Sequence, residues 1–215
     1  MKLAVSLFFS AAIITSSPKE DYMAFMGDFM KNSQLSFNFT ITQNAEGKSQ
    51  VSSGYYKRSD DQFLLKNENY LVISTKDVTV TVFENDKLVL MDEPTPANNL
   101  FVMNTEGMNE IITKVTETAS PSKSIKEWHI LGNGWKAKAI VKADIEKKVP
   151  IQISLFYKEA NLAKDKPIMN ISFSNFSKTI QDKEQFRISG ILVKKGNEWV
   201  LTKKYSNYEL INNLD

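Results

Sequence analysis

A regular alternation of apolar and polar residues constrains the fold of this chain more than any other feature. From Leu35 to Thr42 every second residue is Leu, Phe or Ile, and the residues between them are Ser, Asn or Thr. A period of two predicts a strand with one apolar and one solvated face. Similar segments, separated by short polar turns, predict strands at 50–58, 63–65, 70–75, 78–83, 88–91, 128–131, 135–141, 151–157, 169–173, 186–194, 199–205 and 208–211.

An amphipathic helix is predicted before the first of these strands. Ser17 is a suitable N-cap, Pro18 suits the first helical position, and Glu20 completes a capping box. The apolar residues that follow at helical spacing are Tyr22, Phe25, Met26 and Phe29. This stripe favours packing on the sheet as part of the core, and the alternative is that it covers the opening of a cavity.

A second helix is predicted in the middle of the chain. The proline-containing segment 92–96 breaks the sheet, because proline cannot donate a hydrogen bond to a strand ladder. The residues after it that can share a helix face are Leu100, Met103, Met108, Ile111, Ile112 and Val115. Gly107 weakens or bends this helix, and the segment 119–122 ends it.

These elements predict a mainly β chain, with more than ten strands and two helices. We expect a single domain over residues 17–215, built on a strongly curved antiparallel sheet or barrel. Such a sheet encloses more volume than its own side chains easily fill, and helices between strands can cover its concave side. The geometry suggests an apolar ligand.

The N-terminal residues 1–16 resemble a secretory signal peptide. Lys2 is followed by the apolar stretch Leu3–Ile14 and then by small polar residues, with Thr15 or Ser16 as the last residue removed. The apolar stretch is too short to cross a bilayer, which takes about 20 residues. The alternatives are an uncleaved anchor or a buried first strand. With no cysteine in the chain, we expect a soluble, exported protein without a lipid anchor.

The sequence offers little for catalysis, metal binding or nucleic-acid binding. The formal net charge is only +2, so no bulk attraction for nucleic acid is expected. The single histidine, His129, and the absence of cysteine make a zinc site improbable. The adjacent carboxylates Asp60-Asp61 and Asp92-Glu93 point apart on a strand and are interpreted as turn charges. We therefore expect no enzyme, no metal and no cofactor.

Several motifs in the first half of the chain resemble the periplasmic carriers of outer-membrane lipoproteins, the LolA-like family. The matching residues are Gly54-Tyr55-Tyr56-Lys57-Arg58 followed by Phe63, then Leu71 to Asp77, and then the strand Val78 to Phe83. The segment 98–117 falls where that family places lid helices. The resemblance implies an unclosed half-barrel with a helical lid over an apolar cavity.

The resemblance also implies a function and a set of site residues. In the family, the cavity carries lipoprotein acyl chains through the periplasm, from an inner-membrane exporter to an outer-membrane acceptor. The family's arginine that closes the lid, through hydrogen bonds to helix carbonyls, corresponds to Arg58, whose alternative interpretation is a solvated charge at a strand end. The apolar cavity candidates are Phe25, Phe29, Phe37, Phe39, Val80, Val82, Met103, Ile111, Met169 and Phe173.

The sequence thus favours a monomeric periplasmic carrier of acylated lipoproteins or another lipid. A second hypothesis is a cell-envelope module that binds proteins, on the same fold and with an interior filled by its own side chains. A third is a lipid or glycan hydrolase that uses the scattered carboxylates. Cell fractionation tests the location, since a protein retained in the cytoplasm contradicts the carrier hypothesis.

Overall fold

The structure is a computed structural model that describes residues 16–45, 47–96, 111–118, 122–132, 137–157, 159–162, 164–180 and 182–214. It contains the helix α1 (Pro18–Met30) and the strands β1 (Gln34–Ala45), β2 (Lys48–Ser59), β3 (Gln62–Asn67), β4 (Tyr70–Ser74), β5 (Thr79–Phe83), β6 (Leu88–Asp92), β7 (Ile112–Thr118), β8 (Ile125–Gly132), β9 (Ala137–Asp144), β10 (Val149–Tyr157), β11 (Met169–Ser177), β12 (Leu192–Lys195), β13 (Glu198–Leu201) and β14 (Glu209–Asn212).

Twelve of these strands form one sheet in the order β14-β6-β5-β4-β3-β2-β1-β11-β10-β9-β8-β7. The sheet is strongly curved and does not close into a barrel. Every neighbouring pair in it is antiparallel except β14, which runs parallel to β6. The strands β12 and β13 form a separate hairpin. The prediction of a mainly β chain with a curved, unclosed sheet is confirmed.

The helix α1 begins as its sequence predicts. The Ser17 side chain accepts a hydrogen bond from the backbone N–H of Glu20, and the Glu20 carboxylate accepts one from the backbone N–H of Ser17. This reciprocal capping satisfies two N–H groups that the first turn leaves without a helical partner. Tyr22, Met26 and Phe29 then form its buried face, so the predicted stripe packs as core.

Both faces of the sheet are buried in part, and each has its own apolar core. The first core lies on the concave face, where α1 packs against residues of β1, β2, β3, β7, β8 and β9. The second lies on the opposite face of β3–β6, beneath the segment 186–205. The second core explains why consecutive residues of β5, such as Thr79 and Val80, are both buried.

The predicted second helix is wrong over its C-terminal part. Residues 97–110 lie outside the described residues, but Ile112–Thr118 is the strand β7. A bulge between Ile112 and Lys114 adds one residue to β7 relative to β8. Ile112 and Val115 therefore face the same core although they are three residues apart, and this spacing imitates one face of a helix.

The last third of the chain also differs from its predicted strands. Two short 3-10 turns, Glu184–Phe186 and Ile188–Gly190, lie over the first half of the segment predicted as a strand at 186–194, and β12 covers its last three residues. A third, Lys203–Tyr205, ends the strand predicted at 199–205. These turns place Phe186, Ile191 and Tyr205 in the second core, which an extended strand over the same residues would not do.

Gly54 is required where β2 passes between β1 and β3. Its partner across the ladder is Phe39, whose ring crosses the glycine on the concave face. A Cβ atom at this position would lie 2.6 Å from the Phe39 ring and would also collide with the Lys66 carbonyl oxygen. The absence of a side chain at Gly54 thus makes room for an aromatic ring of the concave core.

We predict that Gly54→Ala lowers the free energy of unfolding by about 1–3 kcal/mol, because the added methyl group overpacks the site. Gly27→Ala is the matched control, since a Cβ at Gly27 meets nothing within 4 Å in the middle of α1. That change should raise the stability by about 0.5–1 kcal/mol. Urea denaturation measures both, and a Gly54→Ala protein as stable as the parent contradicts the packing described here.

Candidate functional site

The helix α1 lies across the concave face and meets strands at both of its ends. Near its start, the Tyr22 and Phe25 rings lie 5.5 and 5.3 Å from the ring of Trp128 on β8. Near its end, the Phe29 ring lies 6.5 Å from Phe37 on β1 and 6.2 Å from Phe176 on β11. One helix therefore spans the part of the curved sheet between β1 and the edge strand β7.

An aromatic cluster surrounds Phe37 under the C-terminal half of α1. The Phe37 ring lies 5.1 Å from Tyr56, 5.4 Å from Phe173 and 5.3 Å from Phe176. A register shift between β1 and β11 brings Phe173 and Phe176 to the same face although they are three residues apart. Burial raises the pKa of the Tyr56 phenol, which stays neutral at physiological pH. The cluster is an apolar, uncharged surface.

Two lysines fasten the N-terminal half of α1 to the edge of the sheet. The Lys19 ammonium donates to the backbone carbonyl of Ile112 at 2.7 Å. The Lys126 ammonium donates to the Asp21 carboxylate at 2.8 Å. This bond holds the pKa of the Asp21 carboxyl below its ordinary value, and a hydrogen bond from the Ser16 hydroxyl acts in the same direction. The pKa of Lys126 is raised by the same bond to Asp21.

Arg58 holds the C-terminal end of α1. Its Nη1 donates to the Met30 carbonyl at 2.9 Å, and its Nε donates to the Asp60 carbonyl at 3.0 Å. A helix carries partial negative charge at its C-terminus, so a guanidinium is well placed there. The carbonyl that Arg58 contacts belongs to α1. Residues 98–110 of the predicted mid-chain lid helix lie outside the described residues.

Beyond α1, the apolar concave face continues as a row of half-buried side chains. These side chains pack against the first core but keep part of their surface exposed, and they are Ile41, Tyr70, Val72, Ile153, Leu155 and Ile171. A cleft of about 440 Å³ opens beside Ile41 and Tyr70, with the turn 67–69 on its rim. Most of the other residues that line this cleft are polar, among them Gln43, Gln50 and Ser52. The apolar row therefore lies between the part of the face that α1 closes and a mainly polar cleft.

The structure brings more than half of the predicted cavity residues together. Phe25 on α1 packs beside Phe29, Phe37 and Phe39, which are all buried in the first core, and Phe173 packs against the same core. Met169 is half-buried on β11, in the row that contains Phe173 and Ile171, where it pairs with Leu155 of β10. These six residues share the concave face.

The remaining cavity candidates lie elsewhere or outside the described residues. Val80 and Val82 are 0% exposed in the second core, on the opposite face of the sheet, so their assignment to the same cavity as Phe37 is wrong. Their position follows from the register, in which Val80 pairs with Ile73 and Met91. Ile111 is 39% exposed and does not belong to the first core. Met103 lies outside the described residues.

Sequence reasoning missed several residues of this face. Four residues of this face lie in predicted strands but are not among the predicted site residues: Tyr56, Trp128, Leu155 and Ile171. Their signal was the same period of two that identified the strands. What the sequence lacked was the pairing of β1 with β11, which joins segments more than a hundred residues apart.

Away from the attachments of α1, a second group of charged side chains lies on the face of β8 opposite to Trp128. The His129 Nε2 lies 2.7 Å from the Glu127 carboxylate, which also pairs with Lys142 at 3.1 Å. Burial raises the pKa of Glu127, but these two partners outweigh it and leave the pKa below its ordinary value. Asp60 lies in a turn, 3.7 Å from the Lys183 ammonium. Within the described ranges, no group of three or more His, Asp or Glu side chains could hold a metal ion.

The fold is shared with solved structures of low sequence identity. An uncharacterized conserved protein from Thermus thermophilus matches with a TM-score of 0.54 and 9% identity, covering 90% of this chain and 99% of that one. A LolA superfamily protein from Nitrosomonas europaea matches at 0.35 and 6%, covering 78% and 96%. MucB in its complex with MucA from Pseudomonas aeruginosa matches at 0.43 and 9%, covering 85% and 63%.

These matches concern the fold, and the one with a TM-score above 0.5 is to a protein without a stated activity. One of the solved structures that match this chain is of a LolA superfamily protein, and the sequence resembles that family. No protein-family model and no curated protein matches the sequence. In the described part of the chain, the helix α1 is too short and too polar to cross a bilayer.

We predict that Asp21→Asn destabilises the protein at neutral pH by up to about 1 kcal/mol, because it removes the nearer of the two ionic partners of Lys126. The carboxyl has a lowered pKa in the folded state. Its contribution is therefore complete above the unfolded pKa of about 3.9 and is lost as the pH falls through the folded value.

Urea denaturation from pH 7 to pH 2.5 measures this contribution. The difference in stability between the parent and the variant should shrink towards zero at the acid end. Asp28→Asn is the control, because the Asp28–Lys148 pair is exposed at 3.1 Å. A difference that stays constant over the whole pH range contradicts a stabilising ion pair at Asp21.

Proposed function

We propose that the protein is a periplasmic carrier that shields the acyl chains of a lipoprotein, or of another lipid, against its concave face. The observation that carries this proposal is the half-buried apolar row Ile41, Tyr70, Val72, Ile153, Leu155 and Ile171, which extends the buried core beyond α1. A contiguous apolar surface that is incompletely covered is typical of a ligand-binding groove.

The energetics of the face suit an acyl chain. Burial of each methylene group contributes about 0.8 kcal/mol, so a chain that lies along the row is held by its length rather than by one specific contact. The surrounding phenylalanine rings contact it without directional bonds. A carrier needs this combination, since its cargo must be held in transit and then released.

In this proposal α1 is a movable cover. Its apolar side chains fill the closed part of the concave face, and its polar attachments are few and lie at its two ends. If α1 moves away, the aromatic surface beneath it becomes available to the cargo. Arg58 then acts as the latch, which means that its hydrogen bond to the Met30 carbonyl holds the C-terminal end of α1 in the closed position. This is the role that the family resemblance implies.

The partners follow from the same proposal. A carrier of this kind receives acylated lipoproteins from an inner-membrane exporter and delivers them to an outer-membrane acceptor. Export of the chain rests on the signal-peptide pattern of residues 1–16. No step requires a cofactor, because transfer involves only the exchange of one apolar surface for another.

A second candidate is a cell-envelope module that binds proteins. The observation that favours it is the close packing of α1 on the sheet. Tyr22 is 0% exposed, and Met26 and Phe29 are nearly as buried. A helix fixed in this way leaves less room for a lipid. Direct measurement of acyl-chain binding separates the two candidates.

We expect the protein to bind a fluorescent long-chain fatty acid, and Ile171→Asn to weaken this binding roughly tenfold, because it places an amide in the apolar row. Ser172→Asn is the matched control, since the neighbouring residue is exposed on the opposite face of β11. Circular dichroism should show both variants folded. Absence of fatty-acid binding by the parent protein favours the protein-binding candidate.

We also expect Arg58→Lys to loosen α1. A lysine keeps the charge but cannot donate to the Met30 and Asp60 carbonyls together. Hydrogen exchange of the last turn of α1 should become faster, and the uptake of fatty acid should accelerate. Arg187→Lys is the control, because Arg187 is exposed and pairs with Glu184 within the same turn. Unchanged exchange in α1 contradicts the latch.

A further inference from the structure

The Trp128 side chain combines full burial with an unused hydrogen-bond donor. It is 1% exposed, and its indole N–H has no hydrogen-bond partner among the residues that the structure describes. The indole nitrogen is a donor only, and its direction is fixed by the ring. Buried tryptophan N–H groups ordinarily find an acceptor, so this one needs an explanation.

The position of Trp128 relates this donor to the half-buried row. Across the sheet, Trp128 pairs with Val141, Val141 with Ile153, Ile153 with Ile171, and Ile171 with Ile41. The five side chains therefore form one line across adjacent strands, about 19 Å long at four strand spacings of about 4.8 Å. This length is comparable to that of an extended long acyl chain.

The two ends of this line differ. At Ile41 the line is half-buried and borders the cleft of about 440 Å³. At Trp128 it is closed by Tyr22 and Phe25 of α1. Lys126, two residues before Trp128 on the same strand, is bonded to Asp21 of α1. An indole donor and a polar helix attachment thus mark one end of an otherwise apolar line.

We propose that the Trp128 indole N–H is a binding group for the ester carbonyl at the head of an acyl chain. The hydrocarbon lies along the line towards Ile41, and its carbonyl oxygen accepts the hydrogen bond when α1 moves away from the ring. The inference rests on the proposed acyl-chain function and adds chemical selectivity to it. Hydrocarbon alone offers no acceptor, whereas an ester does.

The test compares dioctanoylglycerol with its dioctyl ether analogue, which has the same chains without the carbonyl groups. The parent protein should bind the ester roughly threefold to tenfold more tightly than the ether, as one net hydrogen bond provides. Trp128→Phe keeps an aromatic ring but removes the donor, and the two affinities should become equal. Trp199→Phe is the matched control, because Trp199 packs in the second core.

A second readout uses the parent protein and does not depend on the folding of a variant. The NMR signal of the Trp128 indole N–H should shift on addition of the ester and much less on addition of the ether. Equal binding of both lipids, or an ester preference that survives in Trp128→Phe, overturns the inference and leaves the acyl-chain function in place. If neither lipid binds, the proposed function and the inference both fail.

Discussion

The packing of α1 on the concave face is the interaction on which the rest of the structure depends. A curved sheet that does not close into a barrel leaves part of its inner face without a partner, so a separate element must cover it. Here a single helix does so by laying Tyr22, Met26 and Phe29 across the strands between β1 and β8. The helix is held by polar bonds at its ends and by apolar contacts between them. In the proposed function, the ligand replaces α1 at these apolar contacts.

The two faces of the sheet are buried to different extents. On β3–β6 the convex side is sealed by the segment 186–205, which gives Val80, Val82 and Met91 complete burial. In that part of the sheet, the second apolar core lies on the convex side. The concave side is only partly sealed, and its half-buried residues lie on β1, β4, β10 and β11. The proposed acyl-chain site therefore lies on the face that is less completely covered.

Much of the fold was predictable because alternation is a local signal. The strands β1 to β6 and the capping of α1 followed from residues close together in the sequence. The errors arose where non-local structure changed the period. A bulge in β7 gave Ile112 and Val115 a helical spacing, and the second core drew Phe186 into a 3-10 turn. At the site, the shared face of Phe37, Phe39 and Phe173 was predicted, but Val80 and Val82 could not be placed on the right face without the register.

The strand β14 has a consequence for how this molecule folds. It pairs in parallel with β6, so residues about 120 positions apart must meet before this end of the sheet is complete. Such distant pairing slows folding, and until it forms the outer backbone of β6 is an open edge that other strands can join. Pairing with β14 moves the open edge from β6 to β14, and β14 offers other strands only four residues, Glu209–Asn212.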